Sequence, residues 1–446
     1  MNFEFSRYAF DKNTGVVELE YRVMEHVFIE KFIFDTELFV SCEAEILDRA
    51  LFYLHVACGV SYWKAFCPQE LVFTSGKLTR LESEFFTEFY KQGLMQFFYE
   101  NDLDPDKFAV KFTYDENLLR SCFNPLDKSC DKVLLPIGGG KDSLVSMAIL
   151  NDLNVEYDWF CVKSDRIKKD CVEISGKKLI DVRREFSTDL IALNRAGEAF
   201  NGHVPITGIL AFVEVVACVL YGYSKVIMSN EHSSSQANLT WKGYKVNHQY
   251  SKSLEFEKMF RMFLDENFCA IKGESLFDYF SLLRGLSEYK IAEIFAEKCS
   301  DYFDVFSSCN RNFHLDSALN LKQKRFCGEC EKCAFVFLML SNFIEIDRLV
   351  KFFGKNLFES KRLLQTYKEL CGLGSRKPWE CVGTFEESRF ALVEALHLRL
   401  LTGDLEALAW QIAEDFAPEI EDFKLVYTDC FECLPKAWRK FLIKNV

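Results

Sequence analysis

The sequence predicts an α/β protein built on a doubly wound parallel sheet. In the middle third of the 446-residue chain, short and continuously apolar segments alternate with segments of helical periodicity. This pattern is typical of strands that are buried on both faces. Strand-like and helical segments precede this region, and the pattern after it is helical. We therefore expect three regions: an N-terminal α+β domain at residues 1–125, the sheet domain at 126–335 and a helical C-terminal region at 336–446.

The N-terminal domain begins with a predicted hairpin. Two strand-like segments flank a turn that ends at Gly15, which is a typical hairpin signal, and a third segment alternates again. Apolar residues at three- and four-residue steps then predict two helices. The predicted elements are strands at 5–10, 16–23 and 26–34, helices at 43–60 and 81–100, and an aromatic loop at 61–66 between the helices.

The sheet domain alternates strands with helices. In such sheets, ligands bind beyond the carboxyl ends of the strands, so the loops at those ends are the expected place of a site. In the helical region that follows, only the segments 372–383 and 424–427 interrupt the pattern. The predicted elements of the sheet domain are a strand at 132–137, a helix at 144–153, strands at 157–162 and 225–228 around a helix at 207–221, a helix at 291–298 and a strand at 303–306.

Composition and charge argue against several classes of function. The chain has 54 basic and 67 acidic residues and a net charge of −13. This charge disfavours a nucleic-acid or anionic-membrane partner, because phosphate contacts require a cationic surface. The longest apolar segment, at 208–221, is short for a membrane span and carries Glu214. Since no secretory signal is recognisable either, we expect a cytoplasmic protein whose 18 cysteines are reduced.

The strongest chemical signal is a glycine-rich loop between a buried strand and a helix. Glycines, which lack a Cβ, let consecutive N–H groups form an anion-binding nest, and the helix that follows adds the partial positive charge of its N-terminus. We therefore expect this loop to bind a phosphate group, with the Ser143 hydroxyl as a further donor. The predicted cofactor-binding residues are Gly138, Gly139, Gly140, Lys141, Asp142 and Ser143.

The spacing of this loop distinguishes among known phosphate loops. A Walker-type P-loop needs glycine where the chain has Leu135, and Ser or Thr where it has Asp142. The dinucleotide fingerprint needs glycine at Ser143 and fails as well. The pattern instead resembles the loop of the PP-loop ATP pyrophosphatases, which cleave ATP to AMP and pyrophosphate. The resemblance implies a sheet of the PP-loop type, and a glycine-rich turn without a ligand is the alternative.

Three cysteines at two-residue gaps, with a fourth upstream, form a candidate metal site. Cys327, Cys330 and Cys333 make two overlapping C-x-x-C steps, and Cys309 follows the predicted strand at 303–306. Four thiolates satisfy a tetrahedral Zn²⁺, and closed sites of this kind are structural. An iron–sulfur ligand set and cysteines that only pack are the alternatives. The arrangement resembles the zinc site of 7-cyano-7-deazaguanine synthase, another PP-loop enzyme.

Two polar segments of the sheet domain, at 201–207 and 229–255, contain three of the seven histidines. The second segment follows directly on a predicted strand, so its beginning is expected at the carboxyl edge of the sheet, near the phosphate loop. Histidines in such a place suit proton transfer or carboxylate recognition, and solvated loops are the alternative. The candidate catalytic residues are His203, Glu231, His232, His248 and Lys252.

In their order along the chain, these motifs resemble those of the bacterial UDP-N-acetylmuramoyl-L-alanyl-L-glutamate epimerases, a family of cell-wall precursor enzymes. The matching motifs are the phosphate loop, the segments 201–205, 229–231 and 247–253, and the cysteine motif at 327–333. The N-terminal hairpin and the segment 59–62 fit as well. The resemblance spans nearly the whole chain, although the helical C-terminal third is less distinctive. One departure is His232, where arginine is expected in relatives.

The resemblance implies that the terminal L-Glu of a UDP-muramoyl dipeptide is converted to D-Glu with ATP and Mg²⁺. Adenylation removes the negative charge of the α-carboxylate, so that the Cα proton can leave and return from the other face, and hydrolysis then releases AMP. Inversion requires groups on both faces of Cα. The candidates for proton transfer are His248, His232 and Glu231, with His203 as an alternative that holds the substrate carboxylate.

The remaining expectations concern charge at the phosphates, partners and rival functions. Lys141 or Lys252 is expected to neutralise charge at the phosphates, and the expected partner is a small molecule, with the oligomeric state left open. One rival function is a PP-loop synthase in which ammonia attacks the adenylate to give an amide or a nitrile. The other rival is a nucleotide-binding protein that has lost its chemistry.

Overall fold

A computed structural model describes residues 1–124, 132–271, 273, 275–313, 320–321 and 324–445. The strands within these ranges are β1 (Asn2–Asp11), β2 (Val16–Val23), β3 (His26–Ile33), β4 (Glu70–Phe73), β5 (Val133–Pro136), β6 (Tyr157–Val162), β7 (Leu179–Glu185), β8 (Lys225–Met228), β9 (Leu239–Trp241), β10 (Tyr244–Val246) and β11 (Asp278–Ser281).

Nine of these strands form one sheet in the order β11-β8-β5-β6-β7-β3-β2-β1-β4. The five strands from β11 to β7 run parallel to one another, and β4 runs parallel to β1. The strands β7, β3, β2 and β1 pair antiparallel. A separate two-stranded hairpin consists of β9 and β10. The sheet is therefore mostly parallel.

The helices surround this sheet and make up most of the C-terminal region. Within the described residues, no helix combines the length and the apolar character that a bilayer span requires. The helices are α1 (Ala44–Cys58), α2 (Val60–Trp63), α3 (Arg80–Gly93), α4 (Met95–Glu100), α5 (Pro105–Phe108), α6 (Lys141–Asp152), α7 (Arg166–Ser175), α8 (Thr188–Ala196), α9 (Ile206–Tyr221), α10 (Leu254–Asn267), α11 (Glu288–Lys298), α12 (Glu331–Leu340), α13 (Ile346–Phe353), α14 (Leu364–Leu370), α15 (Phe385–His397), α16 (Gly403–Asp415), α17 (Ala417–Glu421) and α18 (Lys436–Asn445).

Apolar cores cover both faces of the parallel strands. Side chains alternate along a strand, and in β5 Leu134 belongs to one core while Val133 and Leu135 belong to the other. The first core includes side chains of α1, α3, α9 and α10, and the second includes those of α6, α11, α12 and α15. Parallel strands with helices on both faces confirm the prediction of an α/β protein with a largely parallel sheet.

The N-terminal strands extend the same sheet. Residues 31–33 of β3 pair antiparallel with residues 183–185 of β7. A buried ion pair reinforces this joint, in which Nε of Arg184 donates to Oε1 of Glu30 at 2.5 Å. The strands of the predicted N-terminal domain and of the predicted sheet domain thus form one surface, and the boundaries near residues 125 and 335 stay a prediction.

Two predicted elements are wrong. The aromatic segment after α1 includes the short helix α2 rather than a loop, because all its side chains are buried and the ring of Tyr62 stacks on Tyr21 at 4.8 Å. The strand predicted at 303–306 is absent, since a 3₁₀ helix at Ser300–Tyr302 continues into a turn. The apolar side chains of this run pack on α11 instead, with the rings of Phe306 and Phe295 4.7 Å apart.

One pair of cysteines is not reduced. Cys122 and Cys269 form a disulfide across a sequence separation of 147 residues. Next to it, Phe123 and Ala270 form a parallel bridge, so the pair lies where two distant segments run side by side. The prediction that all cysteines are reduced is therefore wrong for Cys122 and Cys269.

Candidate functional site

The candidate site lies at the carboxyl edge of the parallel strands. The phosphate loop follows β5, residues 229–231 follow β8, and residues 282–284 follow β11. These three strands are neighbours in the sheet. Segments that are far apart in the sequence therefore meet at one edge, where ligands bind in sheets of this kind.

The glycine-rich loop has the backbone geometry of an anion cradle. Gly139 has a φ of +84°, and a Cβ at this position would lie 2.7 Å from Cγ2 of Ile167. Gly140 is the N-cap of α6, so the free N–H groups of the first helical turn lie beside the loop. A Cβ at Gly138 would meet nothing within 4 Å. The backbone of the loop therefore fits a phosphate group.

The polar side chains of the loop have partners within the protein. Oγ of Ser143 donates to the carbonyl oxygen of Gly140 at 3.2 Å. The Lys141 side chain is 1% exposed, and its Nζ donates to Oδ1 of Asp142 at 2.5 Å and also to Glu288. Burial lowers the pKa of Lys141, but the two carboxylates outweigh burial and hold this pKa above its ordinary value. The Lys141 ammonium is thus bound to carboxylates.

Three carboxylates from three segments converge beside the loop. One oxygen atom each of Asp142, Glu231 and Glu288 lies within 4.8 Å of the other two. Burial, opposed by Lys141 and assisted by the two neighbouring carboxylates, raises the pKa of Glu288 to about 7. Carboxylate oxygens at this spacing fit a hard divalent cation such as Mg²⁺.

Arg284 holds the two loops that carry Glu231 and Lys252. Its guanidinium is 1% exposed and donates to the carbonyl oxygens of Glu231 at 3.0 Å and Lys252 at 2.8 Å. The same group donates to Oε2 of Glu257 at 2.7 Å, in a pair that is also buried. Because the guanidinium presents five donors in a rigid fork, it fixes the relative position of both loops.

A segment of the C-terminal region, residues 371–384 between α14 and α15, also reaches the site. Nζ of Lys252 donates to Sγ of Cys381 in this segment at 3.2 Å. Nζ of Lys332 donates to the carbonyl oxygen of Cys381, and the backbone N–H of Lys377 donates to the carbonyl oxygen of Asn238 at 3.1 Å. We call residues 371–384 the C-terminal site segment.

His203 and His248 lie together at the edge of the site. Their ring centroids are 4.8 Å apart, and Nδ1 of His248 lies 2.6 Å from Oε1 of Gln96. Burial, together with the neighbouring His248 and Lys64, lowers the pKa of His203 to about 3. His203 is therefore a neutral imidazole at pH 7, which can donate or accept a hydrogen bond.

His232 has a different environment. Its ring stacks on the ring of Tyr427 at 3.6 Å, and its Nδ1 lies 3.6 Å from Sγ of Cys430. Burial and the charge of Arg284 lower the pKa of His232. Of the two adjacent candidates, Glu231 thus joins the carboxylates and His232 packs against the C-terminal region.

The four cysteines of the candidate metal site converge, and we call them the cysteine cluster. The Sγ atoms of Cys309, Cys327, Cys330 and Cys333 all lie within 4.8 Å of one another. Cys309 and Cys330 are 3.9 Å apart, and Cys327 and Cys333 are 3.6 Å apart. Four sulfurs at about 2.3 Å from a tetrahedral ion would be separated by about 3.8 Å. The cysteine cluster could therefore hold a metal ion.

Several residues of the site were missed by sequence reasoning. Glu288 begins α11 behind its N-cap Ser287, and a capping signal of this kind predicts a helix start but not that its first carboxylate reaches a site. Lys332 lies inside the cysteine motif, where only the cysteines carried a signal. Lys377 and Cys381 lie in the predicted interruption at 372–383, and this break in the helical pattern is the signal that could have found them.

Comparison with known proteins gives matches over most of the chain. The family model for the MurL N-terminal domain matches residues 1–282, and that for the MurL C-terminal domain matches residues 305–404. A protein of Micromonospora sp. is 36% identical over 396 residues, which cover 87% of this chain and 86% of the relative. Proteins of Salinispora tropica and Xanthomonas oryzae pv. oryzae are 36% and 34% identical, and each match covers 87% of this chain and 84% of the relative. All three relatives are named UDP-N-acetyl-alpha-D-muramoyl-L-alanyl-L-glutamate epimerase.

Proposed function

The chain belongs to the MurL family, and from this premise we propose that it converts the terminal L-Glu of UDP-N-acetylmuramoyl-L-Ala-L-Glu to D-Glu, with ATP as co-substrate. Membership of the family confirms the resemblance that the sequence motifs indicated. The proposed reaction is an isomerisation of a peptidoglycan precursor that consumes ATP and releases AMP and pyrophosphate.

The observation that carries the ATP-dependent part of this proposal is the convergence at the carboxyl edge of the sheet. The glycine-rich backbone of residues 138–140 offers donors to phosphate oxygens, and Asp142, Glu231 and Glu288 converge beside it. These carboxylates would hold Mg²⁺, which supplies positive charge against the phosphates of ATP when it is bound. A phosphate cradle beside a cation site suits transfer of an adenylyl group.

Adenylation explains why an epimerase would use ATP. Loss of the Cα proton next to an ionised carboxylate would place a second negative charge beside the first. When a carboxylate oxygen attacks the α-phosphorus, a C–O–P linkage forms and pyrophosphate leaves. The resulting acyl group can accept the electron pair of the Cα–H bond as an enolate, and each preorganised donor at that oxygen lowers the barrier by about 3 kcal/mol. Water then cleaves the acyl-adenylate to release AMP.

The two neighbouring histidines supply groups for recognition and proton transfer. Of the histidines singled out from the sequence, His248 is the one we place in proton transfer, because it lies beside Cys381 and the neutral His203. His203 is suited to hold the substrate carboxylate by a hydrogen bond. Lys252, whose charge acts on both Asp142 and Glu231, is suited to neutralise charge near the phosphates.

The cysteine cluster supports a structural Zn²⁺. Its four sulfurs have the spacing of a closed tetrahedral site, which leaves no position for a substrate. A Zn²⁺ held there would tie the segment around Cys309 to the start of α12. This role is structural and separate from the proposed chemistry at the carboxylates.

The proposal is tested by incubation of the protein with ATP, Mg²⁺ and UDP-N-acetylmuramoyl-L-Ala-L-Glu in D₂O. We expect release of AMP together with deuterium at Cα of the glutamyl residue. AMP release without deuterium uptake would contradict epimerisation but would still support adenylation by ATP. Deuterium uptake in the absence of ATP would contradict the acyl-adenylate.

A pair of variants of the same helix links the activity to the phosphate loop. Asp142→Ala removes one of the three converging carboxylates, and we expect loss of AMP formation by roughly two orders of magnitude or more, because one charge-stabilising contact is lost at the reacting phosphates. Asp152→Ala, at the other end of α6, removes only a half-exposed ion pair with Lys298 and serves as the control. Equal AMP formation by both variants would contradict the role of Asp142.

A further inference from the structure

Cys381 lies where several cationic groups meet. It belongs to the C-terminal site segment, is half-buried, and accepts a hydrogen bond at its Sγ from Nζ of Lys252. Neither the sequence motifs nor the role proposed for the phosphate loop involves this thiol. The titratable and charged groups that act on it are Lys252, His248, Lys332, Lys377 and Glu380.

These neighbours give the thiol the properties of a base. Burial raises the pKa of a thiol, and at Cys433 burial together with the carboxylate of Glu257 holds the pKa above its ordinary value. At Cys381, the Lys252 ammonium and the His248 imidazole outweigh burial, and the pKa falls to about 6. Burial and the charge of this thiolate raise the pKa of the adjacent Glu380 to about 7. Cys381 is therefore largely ionised at pH 7, although a carboxyl group lies next to it.

A second and independent feature indicates that a ligand binds beside this thiol. The side chain of Lys377 is 1% exposed, and within the described part of the chain its Nζ has no hydrogen-bond partner. The charge of Glu387, at the start of α15, acts on this ammonium, and so do those of Glu231, Cys381 and Glu288, so the ammonium faces the same site. A buried ammonium without an acceptor is unfavourable. An anionic oxygen of a substrate would satisfy it.

We propose that the thiolate of Cys381 is one of the two groups that move the proton at Cα of the glutamyl residue. This inference rests on the proposed epimerase function and adds a residue to it. The thiolate takes the Cα proton and becomes a thiol, and the electron pair of the C–H bond moves into the enolate of the acyl-adenylate. A second acid delivers a proton to the opposite face of Cα. Exchange with water then restores the thiolate and the second acid.

The side chain of Lys377 is placed to bind an oxygen of the substrate at the same centre. The charges of Glu231, Glu288 and Cys381 all act on its ammonium, so a substrate oxygen bound to it would lie near both the carboxylates and the thiol. The ammonium would then stabilise the negative charge that develops on the enolate oxygen. Lys377 and Cys381 thus act on the same reacting centre from one segment of the chain.

The test uses the full-length Cys381→Ser and Cys381→Ala variants with ATP, Mg²⁺ and the UDP-muramoyl dipeptide in D₂O. We expect AMP release at a rate close to that of the unaltered protein, while epimer formation and deuterium uptake at Cα fall by roughly 10²–10⁴-fold. The matched control is Cys433→Ser, because Cys433 is also half-buried but lies outside the site. This variant should keep both AMP release and deuterium uptake.

Two outcomes overturn the role of Cys381. One is deuterium uptake at the unaltered rate in both variants. The other is loss of AMP release and deuterium uptake together in a variant that keeps its melting temperature, because the thiol would then serve adenylation. If the unaltered protein exchanges the Cα proton without AMP release, the ATP part of the proposed function fails and deuterium uptake still decides the role of Cys381. If it exchanges no Cα proton, both proposals fail.

A readout that needs no turnover tests the ionisation of the thiol. Alkylation by iodoacetamide, followed for each cysteine peptide by mass spectrometry, reports the thiolate fraction as a function of pH. We expect the rate at Cys381 to rise with a midpoint near pH 6 and the rate at Cys433 to rise only above the ordinary pKa of a thiol. The UDP-muramoyl dipeptide with ATP should protect Cys381. A midpoint for Cys381 as high as that of Cys433 would contradict the thiolate.

Discussion

Two neighbouring regions of the molecule use cysteine in opposite ways. In the cysteine cluster, four sulfurs lie within 4.8 Å of one another, with two of the pairs 3.6 and 3.9 Å apart. In the C-terminal site segment, the thiol of Cys381 faces an ammonium and an imidazole. Lys332 connects the two regions, because it lies within the cysteine motif and donates to the carbonyl oxygen of Cys381.

The chemistry of a thiol in this protein is therefore decided by the groups around it and not by the residue type. Four thiols at this spacing suit a soft cation that neutralises several thiolates at once. One thiol among cations is ionised without a metal and keeps a face for a substrate. Separate changes to each region should therefore have separate consequences.

The largest expected effect comes from Cys330→Ser in the cysteine cluster. We expect the metal content to fall from about one ion per chain to nearly none, with loss of a metal-binding free energy on the order of 10 kcal/mol and a lower melting temperature. Elemental analysis and thermal unfolding measure these changes. Cys433→Ser should keep both values. A variant that keeps its metal, or an unaltered protein purified without any, would contradict the metal site.

Arg284→Met should have a smaller effect that is confined to the candidate site and leaves the cysteine cluster intact. The change leaves the buried carboxylate of Glu257 without its partner and frees the loops of Glu231 and Lys252. We expect the free energy of unfolding to fall by about 3–5 kcal/mol, as for other buried ion pairs that lose one partner. Denaturant unfolding measures this cost, and the metal content should stay unchanged.

The control for Arg284 is Arg261→Met, which removes a half-exposed pair with Asp278. Because exposed pairs contribute about 1 kcal/mol or less, the unfolding free energy should change little. If both arginine variants lost the same stability, Arg284 would have no special role in holding the loops. Metal loss in Arg284→Met would mean that the two regions are not independent.

The smallest expected effect is that of Lys332→Met, at the link between the regions. The Lys332 ammonium is one of the charges that lower the pKa of Cys381, so its removal should move this pKa upward. The midpoint of Cys381 alkylation should therefore shift to higher pH, while the metal content stays at the unaltered value. An unshifted midpoint would show that Lys252 and His248 alone ionise the thiol.

Local patterns made the predicted elements of the sheet recognisable. β5 is short and buried, its glycines follow at once, and α6 begins at Lys141, so strand, loop and helix were all predicted in the right order. The convergence of the cysteine cluster was also predicted, since three of its members lie within seven residues. The apolar run at 303–306 misled prediction, because a short apolar run fits a buried turn as well as a strand.

Contacts between distant segments were not predictable in this way. The pairing of β3 with β7 joins residues about 150 positions apart, and no local spacing encodes such a partner. Glu288 and Cys381 reach the site because α11 and the C-terminal site segment pack at the same edge. The break in the helical pattern at 372–383 marks the segment that holds Cys381, but no local spacing shows that its thiol lies among cations.

The family, the glycine-rich loop and the composition of the cysteine cluster could be read from the sequence alone, because the motifs behind them consist of residues that are close together in the chain. Only the tertiary structure decided that Asp142, Glu231 and Glu288 converge, that Arg284 holds two loops, and that Cys381 lies among cations. The physical reason is that pKa values and ligand geometry depend on neighbours in space. Those neighbours come from segments that the fold alone brings together.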